Sequence, residues 1–201
     1  MLSWSFKKIR TYLRITDVLE LSRRYFFMNA FDGVLTVFGV LIGAFLGSVD
    51  PKALLLSIAG VTVAMSISGF SGAYVTESAE REKDIHEIEA VTLQKSDEDD
   101  VFTEAGAFAS FFVAFVDGMA PAAGSLPMAV PFLLAITFPG VFVILHLFIL
   151  AFLVGAVELF LLGMAIGKIS DRSPVRFGFV MLLMGIIVGF LTMVFENLLE
   201  L

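Results

Sequence analysis

From Arg24 onward the chain alternates long apolar windows with short polar ones. About 20 mostly apolar residues suffice to carry a helix across a bilayer, and five windows of that kind are present. They cover residues 26–47, 53–76, 105–135, 141–167 and 177–195. Arg23 and Arg24 bound the first on one side and Asp50-Pro51 on the other, while Glu77 closes the second. The third contains Pro121, Pro127 and Pro131, which predicts a helix kinked or broken inside the membrane. Pro139-Gly140 makes the next turn, and KISDRSPVR leads into the fifth window. The predicted fold is therefore an all-α integral membrane protein of five transmembrane helices. Its segments are a basic amphipathic stretch over 1–25, two helices over 26–76, an acidic stretch over 77–104 and three helices over 105–201.

Composition agrees with this pattern. Of 201 residues 58% are hydrophobic, 22 are Phe and only 16% are charged, against about a quarter charged in a soluble domain. The net charge of -7 argues against nucleic acid as a partner, which would require a basic face. The absence of cysteine excludes thiolate metal sites, disulfides and cysteine nucleophiles. With two His, no cysteine and no convincing Ser/His arrangement, the chain is not expected to be an enzyme. The opening MLSWSFKKIRTYLR lacks the short apolar run and small-residue cleavage site of a signal peptide.

Lys and Arg collect in short cytoplasmic segments, so their placement orients the chain. Lys7, Lys8, Arg10, Arg14, Arg23 and Arg24 precede the first window, and Lys168, Arg172 and Arg176 lie between the fourth and fifth. This predicts a cytoplasmic N-terminus and an outer C-terminus. The 77–104 stretch, with eleven carboxylates against Arg81, Lys83 and Lys95, then lies in the cytoplasm. ESAEREKDIHEIEAVTLQ has a helix-forming composition and is expected to prolong the second span, with KSDEDD as a solvated turn.

Ionisable groups within hydrocarbon cost a few kcal/mol and mark function by default. Asp32 is the first, roughly 12 Å beyond Arg24 at 1.5 Å per residue. Asn29, Asp32, Thr36, Gly39, Gly43 and Gly47 recur at three- and four-residue steps, forming a polar-to-small stripe suited either to lining a pathway or to close helix packing. The second window has a comparable stripe of Ala59, Thr62, Ser66, Gly69 and Ala73, edged by Met65 and Ser68, and the two stripes are candidates to face each other. The Met65 thioether is either a cation ligand or a gap filler. Asp117, His146 and Glu158 are further deep ionisable groups, of the kind that proton relays use. In the acidic stretch Glu80, Asp84 and Glu87 share one helical face, and Glu82, His86 and Glu89 an adjacent one. Such oxygen-rich sets suit Mn²⁺, Fe²⁺, Mg²⁺ or Ca²⁺, and equally form an ordinary solvated face.

The run NAFDGVLTVFGVLIGA resembles the first transmembrane segment of the vacuolar iron transporter family, with its Asp-Gly pair, Leu-Thr and following small residues. GFSGAYVTESAERE is similar to the end of that family's second span, GSLPMAVPF to its proline-broken third, and LFLLGMAIGKIS with FGFVMLLMGIIVGF to its final helix pair. The resemblance implies a homodimer with a path between the two first spans. It also implies movement of Fe²⁺ or similar ions, such as Mn²⁺, out of the cytosol in exchange for protons. The divalent ion is then substrate rather than a resident cofactor, and Asp32 matches the family's pore aspartate. The family's pore methionine falls on Gly69, leaving Met65 one turn earlier, and its Gly-Glu-Tyr reads Gly72-Ala73-Tyr74. Glu80 and Glu82 match the start of its cytoplasmic metal-binding domain, of which only 77–104 remains. On this reading Asp32 and Met65 bind the ion in the membrane, and Glu80, Glu82, Asp84, His86 and Glu87 bind it at the cytoplasmic mouth. Asn29, Thr36, Gly39, Gly43, Ser66, Asp117 and Glu158 line the rest of the pathway. A plasma membrane is the expected address in a prokaryote and a vacuolar membrane in a eukaryote. The rival readings are an uncoupled path for another ion and a membrane scaffold whose glycine stripes only pack helices.

Overall fold

The structure, a computed structural model, describes residues 9, 11–13, 16–92, 101–138 and 140–199. Among these the regular elements are helical, and five are long: α1 Val18–Leu46, α2 Pro51–Thr92, α3 Val101–Thr137, α4 Ile144–Ile169 and α5 Pro174–Leu199. Each contains a stretch long and apolar enough to cross a membrane. Only 11% of the α5 window is buried within the chain, leaving its Phe, Leu, Ile and Met side chains to be covered by lipid or another surface.

Local chemistry sets the helix ends. Asp17 adopts a left-handed φ of 48°, and its carbonyl accepts from the amides of Glu20 and Leu21. The first helix thus starts eight residues before the apolar window at 26–47. Asp50 caps α2, its Oδ2 accepting from the amides of Lys52 at 2.9 Å and Ala53 at 3.2 Å, with Pro51 at the first helical position. From there α2 runs unbroken for 42 residues, through the apolar window and into the acidic stretch. The turn expected over 95–100 lies outside the described residues, as do 1–8 of the basic segment and Pro139. Gly140 has φ 80°, the left-handed conformation the predicted turn requires.

The expected break in the third span is not seen: α3 remains one helix through Pro121, Pro127 and Pro131. Each proline removes a single backbone bond, whereas opening the helix would strand many polar groups where no water can reach them. Continuity is therefore the smaller cost.

The chain packs as two compact units. One comprises Met1–Phe26 and Ser66–Met119. Its core gathers Val18 with Ala73, Ala109, Val113 and Ala114, and a second cluster of Tyr12, Ala105 and Phe108. The other comprises Phe27–Met65 and Ala120–Leu201. There Val34, Val37 and Leu41 of α1 and Leu54 and Ile58 of α2 meet Met128 and Phe132 of α3 and Leu147, Phe148 and Leu159 of α4. In this second unit α4 and α5 form an antiparallel hairpin. A Cβ at Gly167 would lie 2.8 Å from Pro174, one at Gly163 2.5 Å from the Phe177 carbonyl, and one at Gly185 2.8 Å from Leu159. Glycine is what permits so close a crossing.

Candidate functional site

Asp32 stands at the midpoint of α1, fourteen residues from Val18 and from Leu46. It is exposed on the chain's surface, as is Gly43, whereas Asn29, Thr36 and Gly39 are half-buried. A Cβ added at Gly43 would meet nothing within 4 Å. The opposite side of α1 is packed: Ala30, Val34, Val37 and Leu41 are buried, and Gly33 lets the helix approach the Pro121 carbonyl so closely that a Cβ would sit 2.6 Å from its oxygen. Asp32 and Gly43 therefore look away from the chain's own core, whereas Gly39 lies against α5, where a Cβ would stand 3.5 Å from Val188.

The stripe of α2 behaves differently. In the second unit Thr62 is buried and its hydroxyl meets that of Ser125 on α3 at 2.8 Å, while Met65, one turn on, is half-buried. In the first unit the Ser66 carbonyl lies against Gly118 and Gly69 lies against Asp117, whose Oδ2 and carbonyl oxygen would stand 3.2 and 3.3 Å from a Cβ there. Thr62 of the α2 stripe is thus taken up by α3 in the second unit, and Ser66 and Gly69 by α3 in the first. The hydroxyl pair satisfies two polar groups in apolar surroundings, which explains their placement without a ligand.

The remaining deep groups are separated. Asp117 is 3% exposed in the first unit. Glu158 belongs to the second unit, half-buried, and its Oε2 is buried with no hydrogen-bond partner among the described residues. His146 is exposed in the first turns of α4. On the acidic end of α2, Glu80, Glu82, Asp84, His86 and Glu87 are all exposed, and Glu87 lies 3.9 Å from Lys83. Among the described residues no three His, Asp or Glu side chains of one chain come together as a metal-holding group.

Several buried polar groups were not among the candidates read from the sequence. In the first unit the Tyr25 phenol donates to Glu77 Oε1 at 3.0 Å, and Glu77 is only 7% exposed. Tyr12, fully buried with its ring tilted on Phe108, donates to Glu104. Arg81 Nη2 donates to the Thr16 carbonyl at 3.4 Å, fastening the segment before α1. The signal for three buried or half-buried groups, Ser22 at 4% exposure included, was in the spacing. Ser22 and Tyr25 extend the α1 stripe by two steps toward its start, and Glu77 continues that of α2 by one turn beyond Ala73.

An uncharacterized protein of Methanocaldococcus jannaschii is 27% identical to this chain over 180 residues, which is 89% of this chain and 90% of the relative. The similarity thus covers most of both chains. No family model matches the chain, and no solved structure matches it.

Proposed function

We propose that the protein is an integral membrane transporter that moves a divalent metal ion such as Fe²⁺ or Mn²⁺ out of the cytosol in exchange for protons, acting as a homodimer. The observation that carries this reading is Asp32: a carboxylate at the centre of a 29-residue apolar helix, exposed on the monomer and followed by small residues. A carboxylate facing hydrocarbon is strongly disfavoured. A second copy laid along the same stripe would bring two Asp32 carboxylates together and replace lipid with a polar path, and the open space at Gly43 leaves room for that approach. The two half-sites then supply the oxygen ligands that neither chain assembles alone, with Thr36 and Asn29 beside them and Met65 as a thioether. The acidic end of α2 raises the local concentration of cations at the cytoplasmic mouth. The similarity of NAFDGVLTVFGVLIGA to the vacuolar iron transporter family supports the same assignment.

The test is uptake of Fe²⁺ and Mn²⁺ into proteoliposomes under an imposed pH gradient, comparing wild type with Asp32→Asn. Metal flux that follows the gradient and disappears in the variant is the expected result. A folded dimer that carries neither ion would overturn the reading and leave the scaffold alternative, for which Asp32→Asn is silent.

A further inference from the structure

The turn that joins α4 to α5 sets a group of cations beside a bare apolar wall. Lys168 lies in the last turn of α4, Arg172 in the connection and Arg176 in the first turn of α5, and all three are exposed. Among the described residues their side chains make no hydrogen bond and no ion pair. Basic groups elsewhere are engaged: Lys83 stands 3.9 Å from Glu87, and Arg81 donates to the Thr16 carbonyl. The stretch 168–176 holds one carboxylate, the exposed Asp171, against three cations.

The backbone beneath these cations is tied down. The amide of Arg172 bonds back to the Gly167 carbonyl at 3.0 Å, and the amide and hydroxyl of Ser170 both bond to the Ile166 carbonyl at 3.0 Å. Asp171 between them takes a left-handed φ of 50°, which closes α4 as a compact cap. The two helices touch directly below, where a Cβ at Gly178 would stand 2.6 Å from the Phe160 ring. The positive end of the α5 dipole lies at the same turn and adds to the attraction for an anion.

The apolar wall begins where the cations end. Ile169 and Val175 beside them are 42% and 50% exposed. From Arg176 the side chains of Phe179, Val180, Leu183 and Ile187 follow at helical steps, each 41% to 62% exposed. Eleven residues separate Arg176 from Ile187, roughly 16 Å at 1.5 Å per residue, about half of a hydrocarbon core some 30 Å thick. One leaflet of a bilayer has that depth. A free anion would answer the cations and leave the wall bare, and so would an acidic polypeptide lying above the membrane.

We propose that this end of the α4–α5 hairpin is a docking site for an anionic phospholipid. Its headgroup phosphate lies among Lys168, Arg172 and Arg176, and an acyl chain follows Phe179, Val180, Leu183 and Ile187 into the membrane. The site does not draw on the metal reading, since it requires only the hairpin in a bilayer.

The test is native mass spectrometry of the full-length protein in maltoside detergent, with phosphatidylglycerol and phosphatidylcholine in competition. Detergent removes any effect of the variants on membrane orientation, and unfolding temperatures without added lipid check the fold. Wild type is expected to retain phosphatidylglycerol preferentially, less so as salt rises. Arg172→Gln and Arg176→Gln should each cut the preference by about fivefold, while Arg176→Lys keeps most of it and Lys52→Gln, at the start of α2, leaves it unchanged. Equal retention of the two lipids by wild type, or arginine variants that behave as wild type, overturns the proposal. Displacement of the lipid by inorganic phosphate at matching concentration would assign the cations to a free anion, and loss of a dimer in the arginine variants would assign them to a second copy; either result also overturns it.

Discussion

Two glycine-to-alanine substitutions separate the surface α1 uses inside the chain from the surface it offers outside. At Gly124 on α3 a Cβ would stand 2.2 Å from the Ala30 carbonyl oxygen, 3.1 Å from that carbonyl carbon and 3.0 Å from Val34 Cγ2. The nearest contact falls about 1 Å short of ordinary van der Waals distance, and the obstructing atom is backbone, so α1 and α3 must part. Overpacking of this kind costs about 1–3 kcal/mol or more, whereas replacing a helical glycine returns at most about 1 kcal/mol. The net expectation for Gly124→Ala is a loss of about 1–2 kcal/mol. At Gly43 the added methyl meets nothing within 4 Å, so only the gain remains for the isolated chain. If a second copy lies along the stripe, the methyl pushes the copies apart and the dimer weakens while the fold holds. Thermal unfolding in detergent together with light scattering reads both quantities. Gly124→Ala should unfold earlier, and Gly43→Ala should unfold no earlier than wild type but move toward monomer. An unaltered unfolding temperature in Gly124→Ala would refute the α1–α3 seam, and an unaltered dimer in Gly43→Ala would refute the placement of the second copy.

Three further outcomes follow from individual contacts. Thr62→Val strands the Ser125 hydroxyl 2.8 Å away and should cost roughly 0.5–2 kcal/mol, with the double variant Thr62→Val/Ser125→Ala recovering part of it in a thermodynamic cycle; additive losses would show that the hydroxyl pair carries no coupling. Tyr12→Phe leaves the Glu104 carboxylate without its phenol donor and should speed amide exchange at Thr16, whose amide bonds to the Tyr12 carbonyl; unchanged exchange would show that Tyr12 does not anchor the segment. Glu80→Gln combined with Glu87→Gln on the exposed end of α2 should reduce metal uptake at low metal concentration and low salt, with the difference shrinking as salt rises; a salt-independent effect would point to direct coordination instead of attraction.

What the sequence disclosed and what it hid follow from the solvent. In hydrocarbon the backbone must bond within its own segment, so five apolar windows translate directly into five helices, while their edges depend on local chemistry such as Asp17 and Asp50. The same rule keeps α3 whole, and an argument from proline alone misses it because that argument carries the habits of water. Burial was harder to read. In soluble helices a polar stripe marks the wet face, but Thr62 and Ser125 lie on buried faces of α2 and α3, matched to each other. Such pairing depends on which helix lies opposite, and periodicity along one helix does not contain that information. Tyr25 and Glu77 escaped notice for a related reason: they sit where the apolar windows end, and reading the windows as the limits of the protein's interior placed them outside it.

The α1 stripe also explains how one helix serves two surfaces. Its members Ser22, Tyr25, Asn29, Asp32, Thr36, Gly39 and Gly43 repeat every 3.5 residues on average, while a straight α-helix turns once in 3.6. The mismatch rotates a strict seven-residue repeat by about 20° per heptad, so over three heptads the line swings by about 60° around the helix. The burial along it varies, from Ser22 at 4% exposure through half-buried Tyr25 and Asn29 to exposed Asp32, half-buried Thr36 and Gly39, and exposed Gly43. A single run of polar and small residues thereby begins against the chain's own helices and ends on its outer face. On the proposed mechanism this geometry places the metal-handling aspartate where a second copy can reach it.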